Sequence, residues 1–203
     1  MPGAGGYSFV HDPDAVASHE PALWRPEIAA ATLILAPAPE GFDPNILIDP
    51  ALSGGLSADH QDGADRYVIL TDPQGDHPIW LHGAGAARRP SIILPLDAAF
   101  ELRAAMMWRF YRRLRGRSAG PLPRGFQLTP LRRRRLILLL HTLDFRLAGA
   151  GLRDITAALI DARDARLPAI EWKSSASRRK ATRLVRDSLA LMNGDYRKLL
   201  RGG

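Results

Sequence analysis

TPLRRRRLILLLHTLDFRLAGAGLRDITAALI, residues 129–160, opens with Thr129 followed by Pro130. A threonine hydroxyl can cap the free N–H groups of a first helical turn, and proline is tolerated at the first helical position because its missing N–H has no partner there. The spacing of Leu136, Leu139, Leu140, Leu143 and Leu147 predicts a long helix with those leucines as its apolar stripe, stopped by Gly149 and Gly151. A shorter helix follows at once, with Leu152, Ile155 and Leu159 on its buried face and Arg153 and Asp154 outside. Two helices joined by a tight glycine turn are how a helix-turn-helix begins.

Residues 161–173 include Pro168 and Trp172 and are too many for a simple turn, so an extended turn is expected. Ser174 or Ser175 can then cap a third helix, with Ala181, Leu184, Val185, Ser188, Leu191 and Met192 along one side and Asn193 and Gly194 at its end. At about 100° per residue, Arg179, Arg183 and Arg186 fall nearly opposite that stripe, with Thr182 and Asp187 at the flanks. Such a rod fits a DNA major groove, where guanidiniums grip phosphate or pair with guanine edges. On this reading Ser175, Ser177, Arg178, Arg179 and Thr182 reach base edges or nearby phosphates, and Lys173, Arg183 and Arg186 hold the backbone. The competing reading is a solvated helix that carries arginines for no further reason.

Charge favours the first. The 203-residue chain is +7 overall, but residues 1–95 carry four Arg against twelve acids, a net −8, while residues 96–203 carry 24 Lys and Arg against nine acids, a net +15. A half that basic attracts a polyanion, because neutralising phosphates releases their counterions. The chain has no cysteine, which removes disulfides and thiol chemistry, and no apolar run reaches membrane-spanning length. A soluble cytoplasmic protein without membrane attachment is expected.

Upstream, residues 1–30 read as an irregular N-terminal arm. Short apolar runs at 32–36, 46–48, 67–71, 79–82 and 92–94, bounded by Pro, Gly or Asp, predict a small β-rich acidic unit over 31–120, with 53–65 as a surface loop. A connecting helix is expected over 97–115, with Asp97 as its cap, and Phe100, Ala104, Met107, Tyr111 and Leu114 on its packed face. Its arginines, among them Arg103, Arg109 and Arg113, are expected in solvent, the alternative being that they begin a nucleic-acid surface. A Pro- and Gly-bearing linker at 116–125 leads into a basic domain over 121–203. The expected class is α+β: a small β-rich acidic N-terminal unit, a connecting helix, then an all-α basic helix-turn-helix-like domain with an extended turn.

The segment from Leu131 to Leu200 resembles a proteobacterial domain family, long labelled as of unknown function, of FseA-type activators and QseM-type antiactivators of conjugative-element transfer. The residues that carry the likeness are Asp144, Gly149 with Ala150, Arg153 to Ile155, Trp172, the arginines from Arg178 to Arg186, and Gly194, Tyr196, Leu199 and Leu200. Trp24 to Glu27 and Leu33 to Pro39 extend it more weakly. The resemblance implies an extended-turn helix-turn-helix whose basic versions bind promoter DNA in activators and whose acidic versions bind the activator's separate N-terminal domain. Gly151 departs from the capping serine that members often have, and no tryptophan- and arginine-bearing activator domain precedes Trp24. The implied protein is an activator or activator subunit controlling transfer genes of an integrative and conjugative element. Its partners would be double-stranded DNA and a separately encoded or frameshift-joined N-terminal activator domain, or an antiactivator protein. The alternative is a protein-interaction module of antiactivator type that controls another regulator.

Catalysis has no support in the sequence. Asp59, His60, Asp62 and Asp65 form the densest set of metal-ligand types, but they lie in a polar stretch where turn chemistry and solvation explain them. No glycine-rich segment is followed by the strand, helix and lysine of a phosphate-cradling loop, and no serine has nucleophile-elbow surroundings. No cofactor, metal or enzymatic activity is expected, and the oligomeric state stays open between monomer and dimer.

Overall fold

Alternation of side chains across a pleated strand explains the N-terminal half. In the computed structural model, which describes residues 6–7, 21–42, 48 and 55–202, strands β1 (Leu33–Pro37), β2 (Leu56–Asp62), β3 (Asp65–Leu70), β4 (His77–Leu81) and β5 (Pro90–Ile93) form one mixed sheet in the order β2-β3-β4-β1-β5. The β1–β4 pair is parallel and the other three pairs are antiparallel. Leu33, Leu35, Val68, Leu70, Ile79 and Leu81 form a buried cluster with Met106 and Phe110 of helix α1 (Phe100–Leu114). The alternate residues Tyr67, Ile69 and Trp80 pack with Leu23 and Tyr7. The sheet and the helical region that follows make an α+β chain, as the sequence predicts.

Several local expectations change. Ser53 and Gly54 of the expected loop lie outside the described residues, but most of that stretch is strand β2. As an edge strand it has water on one side, so the Ser, Asp, His and Gln of LSADHQD show no apolar alternation to read. Its two-residue hairpin puts Gly63 first at φ +58°, a backbone state that favours glycine. Of the run at 46–48, Ile46 and Leu47 lie outside the described residues and Ile48 is buried in the core. The expected arm over 1–30 is described only at 6–7 and from 21, where Gly6 bridges Trp24.

Helix α1 packs Met107 and Leu114 against the core as its apolar spacing suggests, but the side it buries most deeply is a different one. Met106 and Phe110 are fully buried together with Arg103 and Arg109, whereas Phe100 and Tyr111 stay exposed. The cause is hydrogen bonding. Arg103 donates to the Pro26 carbonyl at 2.8 Å and to Asp97 at 2.9 Å. Arg109 donates to the carbonyls of Gln74, Gly75 and Gly120 at 2.9 to 3.0 Å, and Arg113 to Asp72 at 2.7 Å. These guanidiniums are structural, not solvated.

By contact the chain divides into two units, Met1–Gln127 with Arg197–Gly203, and Leu128–Tyr196. The second contains helices α2 (Pro130–Leu147), α3 (Leu152–Leu159), α4 (Ala169–Ser174) and α5 (Ala176–Ala190), a π-helical turn Leu191–Asp195 and the start of α6 (Tyr196–Leu200). Thr129 caps α2 by accepting from the Arg132 N–H at 3.2 Å, and Gly149, at φ +86°, stops it. Asp154 accepts from the Gly151 N–H at 2.9 Å, which ties the start of α3.

The inward side of α2 differs from the expected leucine stripe. Leu139 and Thr142 are buried, but Leu140 and Leu147 are 61% and 67% exposed. In α3, Ile155 and Thr156 are buried, and Arg153 is not outside. Its guanidinium lies 4.9 Å from the Trp172 ring centre and donates to the Ala165 and Leu167 carbonyls. The extended turn thus holds a short helix of its own, α4, whose buried Trp172 anchors it. Met192, expected on the packed side of the third helix, is exposed because the π-helical turn shifts the register there.

Candidate nucleic-acid interface

Helix α5 begins where the cap rule places it. The Ser175 hydroxyl accepts from the Arg178 N–H at 3.1 Å and donates to the Trp172 carbonyl at 2.9 Å, which fixes the angle between α4 and α5. Ser177, Ala181, Leu184 and Ser188 are buried along one edge of α5. Ser177 donates to Asp164, so its hydroxyl points into the unit rather than outward. Arg179, Thr182, Arg183 and Arg186 are exposed along the opposite side, Lys173 is exposed just before the helix, and Arg178 is half-buried.

The polar contacts of these side chains are short-range. Arg178 and Arg179 donate to the carbonyls of Lys173 and Ser174, at 3.1 and 2.6 Å, and Thr182 donates to the Arg178 carbonyl at 2.9 Å. Arg186 lies 2.8 Å from Asp187, whose second oxygen accepts from Arg135 of α2 at 2.7 Å. Exposed ion pairs of this kind contribute little to stability and exchange readily for another anion. The sequence therefore leads correctly to an exposed arginine row on α5, while Ser177 belongs to the interior.

Two further cations emerge only from packing. Between α2 and α5 runs a groove of about 410 Å³, lined by Arg135, Lys180, Arg183 and Arg186, by Leu138 and Leu184, and by the acid Asp187. Arg135 belongs to the run Arg132 to Arg135 at the start of α2. That run of four arginines beside the Thr129 cap is the signal that could have pointed to it. The unit Leu128–Tyr196 carries fourteen Lys and Arg against seven acids. Among the described residues no cluster of three or more His, Asp or Glu is placed to hold a metal ion, and Asp59 is engaged by Arg66 at 2.7 and 2.8 Å. No described helix is long and apolar enough to cross a membrane.

A family described as "T6SS, Transcription factor, DNA binding domain" (RovC_DNA-bd) matches residues 93–201, more than half of the chain. The chain belongs to this family. The matched segment runs from the end of β5 through α1 and the whole Leu128–Tyr196 unit. RovC_DNA-bd is a family of transcription-factor DNA-binding domains, not of enzymes, and its presence makes this chain a DNA-binding regulator. Residues 31–92, which hold the sheet up to β5, match a second family, described as "Domain of unknown function (DUF7012)". No curated protein and no solved structure matches the chain.

Proposed function

We propose that this RovC_DNA-bd family member acts on transcription by laying the exposed side of α5 in the major groove of duplex DNA. The observation that carries the reading is the row Arg179, Arg183 and Arg186, exposed opposite the buried edge Ala181, Leu184 and Ser188. Arg178, Arg179 and Thr182, in the first turns, are assigned to base edges and nearby phosphates, and Ser175 supports them as the cap. Lys173, Arg183 and Arg186 are assigned to backbone phosphates, together with Arg135 and Lys180 of the α2–α5 groove. Ser177 is assigned to packing.

The protein so read is a cytoplasmic activator, or the DNA-binding subunit of one completed by a separate activation domain. The proposed targets are transfer genes of an integrative and conjugative element, on the strength of Asp144, Gly149, Trp172 and the closing Gly194, Tyr196, Leu199 and Leu200. Promoters of T6SS genes are the comparison set, because the family description carries that term.

Fluorescence anisotropy of the full chain on labelled promoter duplexes of both sets tests this. Affinity should fall steeply with salt, and Arg183→Ala should weaken binding about tenfold and lower the log–log salt slope by about one. The helical circular dichroism signal should be unchanged. Salt-independent binding, or wild-type affinity in both Arg179→Ala and Arg183→Ala, would retire the assignment of α5.

A further inference from the structure

On α2, Arg133, Ile137, Leu140, Asp144 and Leu147 follow one another at alternating steps of four and three residues. That is the a/d spacing of a two-helix seam, and on a helical wheel the five lie within a sector of about 80°. All five are exposed: Ile137 44%, Leu140 61% and Leu147 67%, with the Asp144 side chain at 75%. The opposite side of α2 is already occupied, since Leu139 and Thr142 are buried and Leu138 lines the groove shared with α5. An isolated exposed leucine needs no explanation, but an unbroken heptad seam with charges at fixed places does.

The order of residues along the seam names the occupant. The point midway between Arg133 and Asp144 is also the point midway between Ile137 and Leu140, at the junction of Leu138 and Leu139. Antiparallel helices pack a positions against d positions in each layer. A second copy of α2 turned end for end about that point therefore places Ile137 against Leu140 twice, and Arg133 against Asp144 twice. A parallel pair would stack Arg133 on Arg133 and Asp144 on Asp144, which repel. The apolar centre and both flanking charges are thus complementary to themselves in one orientation only, the requirement for an isologous two-fold interface.

We propose that α2 is the seam of an antiparallel homodimer, with Ile137 and Leu140 as its core layers and Arg133 and Asp144 as the charged layers that set its direction. Because the seam lies on the side of α2 away from α5, dimer formation leaves the cationic row of α5 uncovered. If that row reads DNA as proposed above, the dimer's binding sites are inverted repeats.

Sedimentation velocity of the full chain over a micromolar concentration series tests the seam by mass alone, so its outcome is separable from DNA affinity. A species of twice the monomer mass is expected. Leu140→Arg should abolish it, and Arg133→Glu or Asp144→Arg should each weaken association at least about tenfold, because every single reversal makes two like-charge layers. The decisive sample is an equimolar mixture of R133E and D144R chains. In a mixed antiparallel pair, Glu at 133 meets Arg at 144 and the native Arg133 meets the native Asp144, so association should return to within about twofold of wild type, the factor left by like-chain encounters, and fully in the R133E/D144R double variant. Unchanged circular dichroism, together with melting that matches wild type at concentrations low enough for both to be monomeric, shows that these surface changes leave the fold intact. A wild-type chain that stays monomeric, an oligomer indifferent to Leu140→Arg or to the single reversals, or a mixture as dissociated as its components would each overturn the proposal.

Discussion

A guanidinium on a helix can be solvent-facing decoration or an internal tie, and α1 shows how differently the two behave. Arg109 satisfies three carbonyls, of Gln74, Gly75 and Gly120, from a position 5% exposed. Burial pulls its pKa below the ordinary value, with Asp72 opposing, and the long side chain makes the tie while keeping its stem in the core. Arg109→Met keeps the stem and removes the donors, so the carbonyls lose their charged partner. We expect the variant to lose about 3 kcal/mol of stability in urea unfolding of the full chain. A loss within error of zero would show that water takes over the donors' role. Nothing in the sequence around Arg109 distinguishes it from Arg112 or Arg115, because its partners come from residues about 35 positions upstream and 11 downstream.

At the scale of elements, ends are more legible than faces, which can be read only where a helix has a single aliphatic edge. Thr129 with Pro130, Gly149, and Ser175 all mark helix boundaries that the structure keeps, since a cap acts on backbone groups within three residues of itself. Ser175→Ala should therefore cost about 1 kcal/mol, seen as a lower melting temperature, and should loosen α4 against α5 through the lost bond to the Trp172 carbonyl. A Ser175→Asp variant that restores the cap should recover most of it. The side on which α2 packs was hidden for a different reason. Five consecutive aliphatic residues, Leu136 to Leu140, put apolar groups on nearly every side of a helix, so periodicity cannot choose among them. On α5 a single aliphatic edge faces a cationic one, and the wheel therefore found Arg179, Arg183 and Arg186. Arg135 escaped because its groove partner Asp187 is 52 positions away.

At the scale of the molecule, acidic and basic halves are held by different means. The unit containing the sheet is held partly by a polar cluster under α1. His77 is fully buried against Phe110, with Asp72 at 3.7 Å and Arg109 and Arg113 nearby. Burial, helped by the charge of Arg109, pushes its pKa down from 6.5 to about 4. The unfolded chain thus takes up a proton as pH falls below about 6.5 while the folded chain does so only near 4. Stability contributed by neutral His77 is whole above that window, falls as pH drops through it, and levels off below. The total is about 3 kcal/mol. Thermal unfolding of the full chain between pH 7 and 4, compared with His77→Leu, measures it as the difference in slope. Parallel curves for the two proteins would remove His77 from the account.

What the chain determines by itself is whatever can be settled within a helical turn or by counting charge: where α2 and α3 begin and stop, where α5 begins, that one edge of α5 is cationic, and that acid and base are sorted into two halves. Tertiary structure decided the rest. It made a strand of the polar edge segment β2, drew Arg103, Arg109 and Arg113 inward, and gave Trp172 a helix within the extended turn. Among the described residues it also left Ile137 and Leu140 of α2 exposed. A cap, a breaker or a charge acts through neighbours in sequence, whereas burial is conferred by whichever distant element arrives to exclude water.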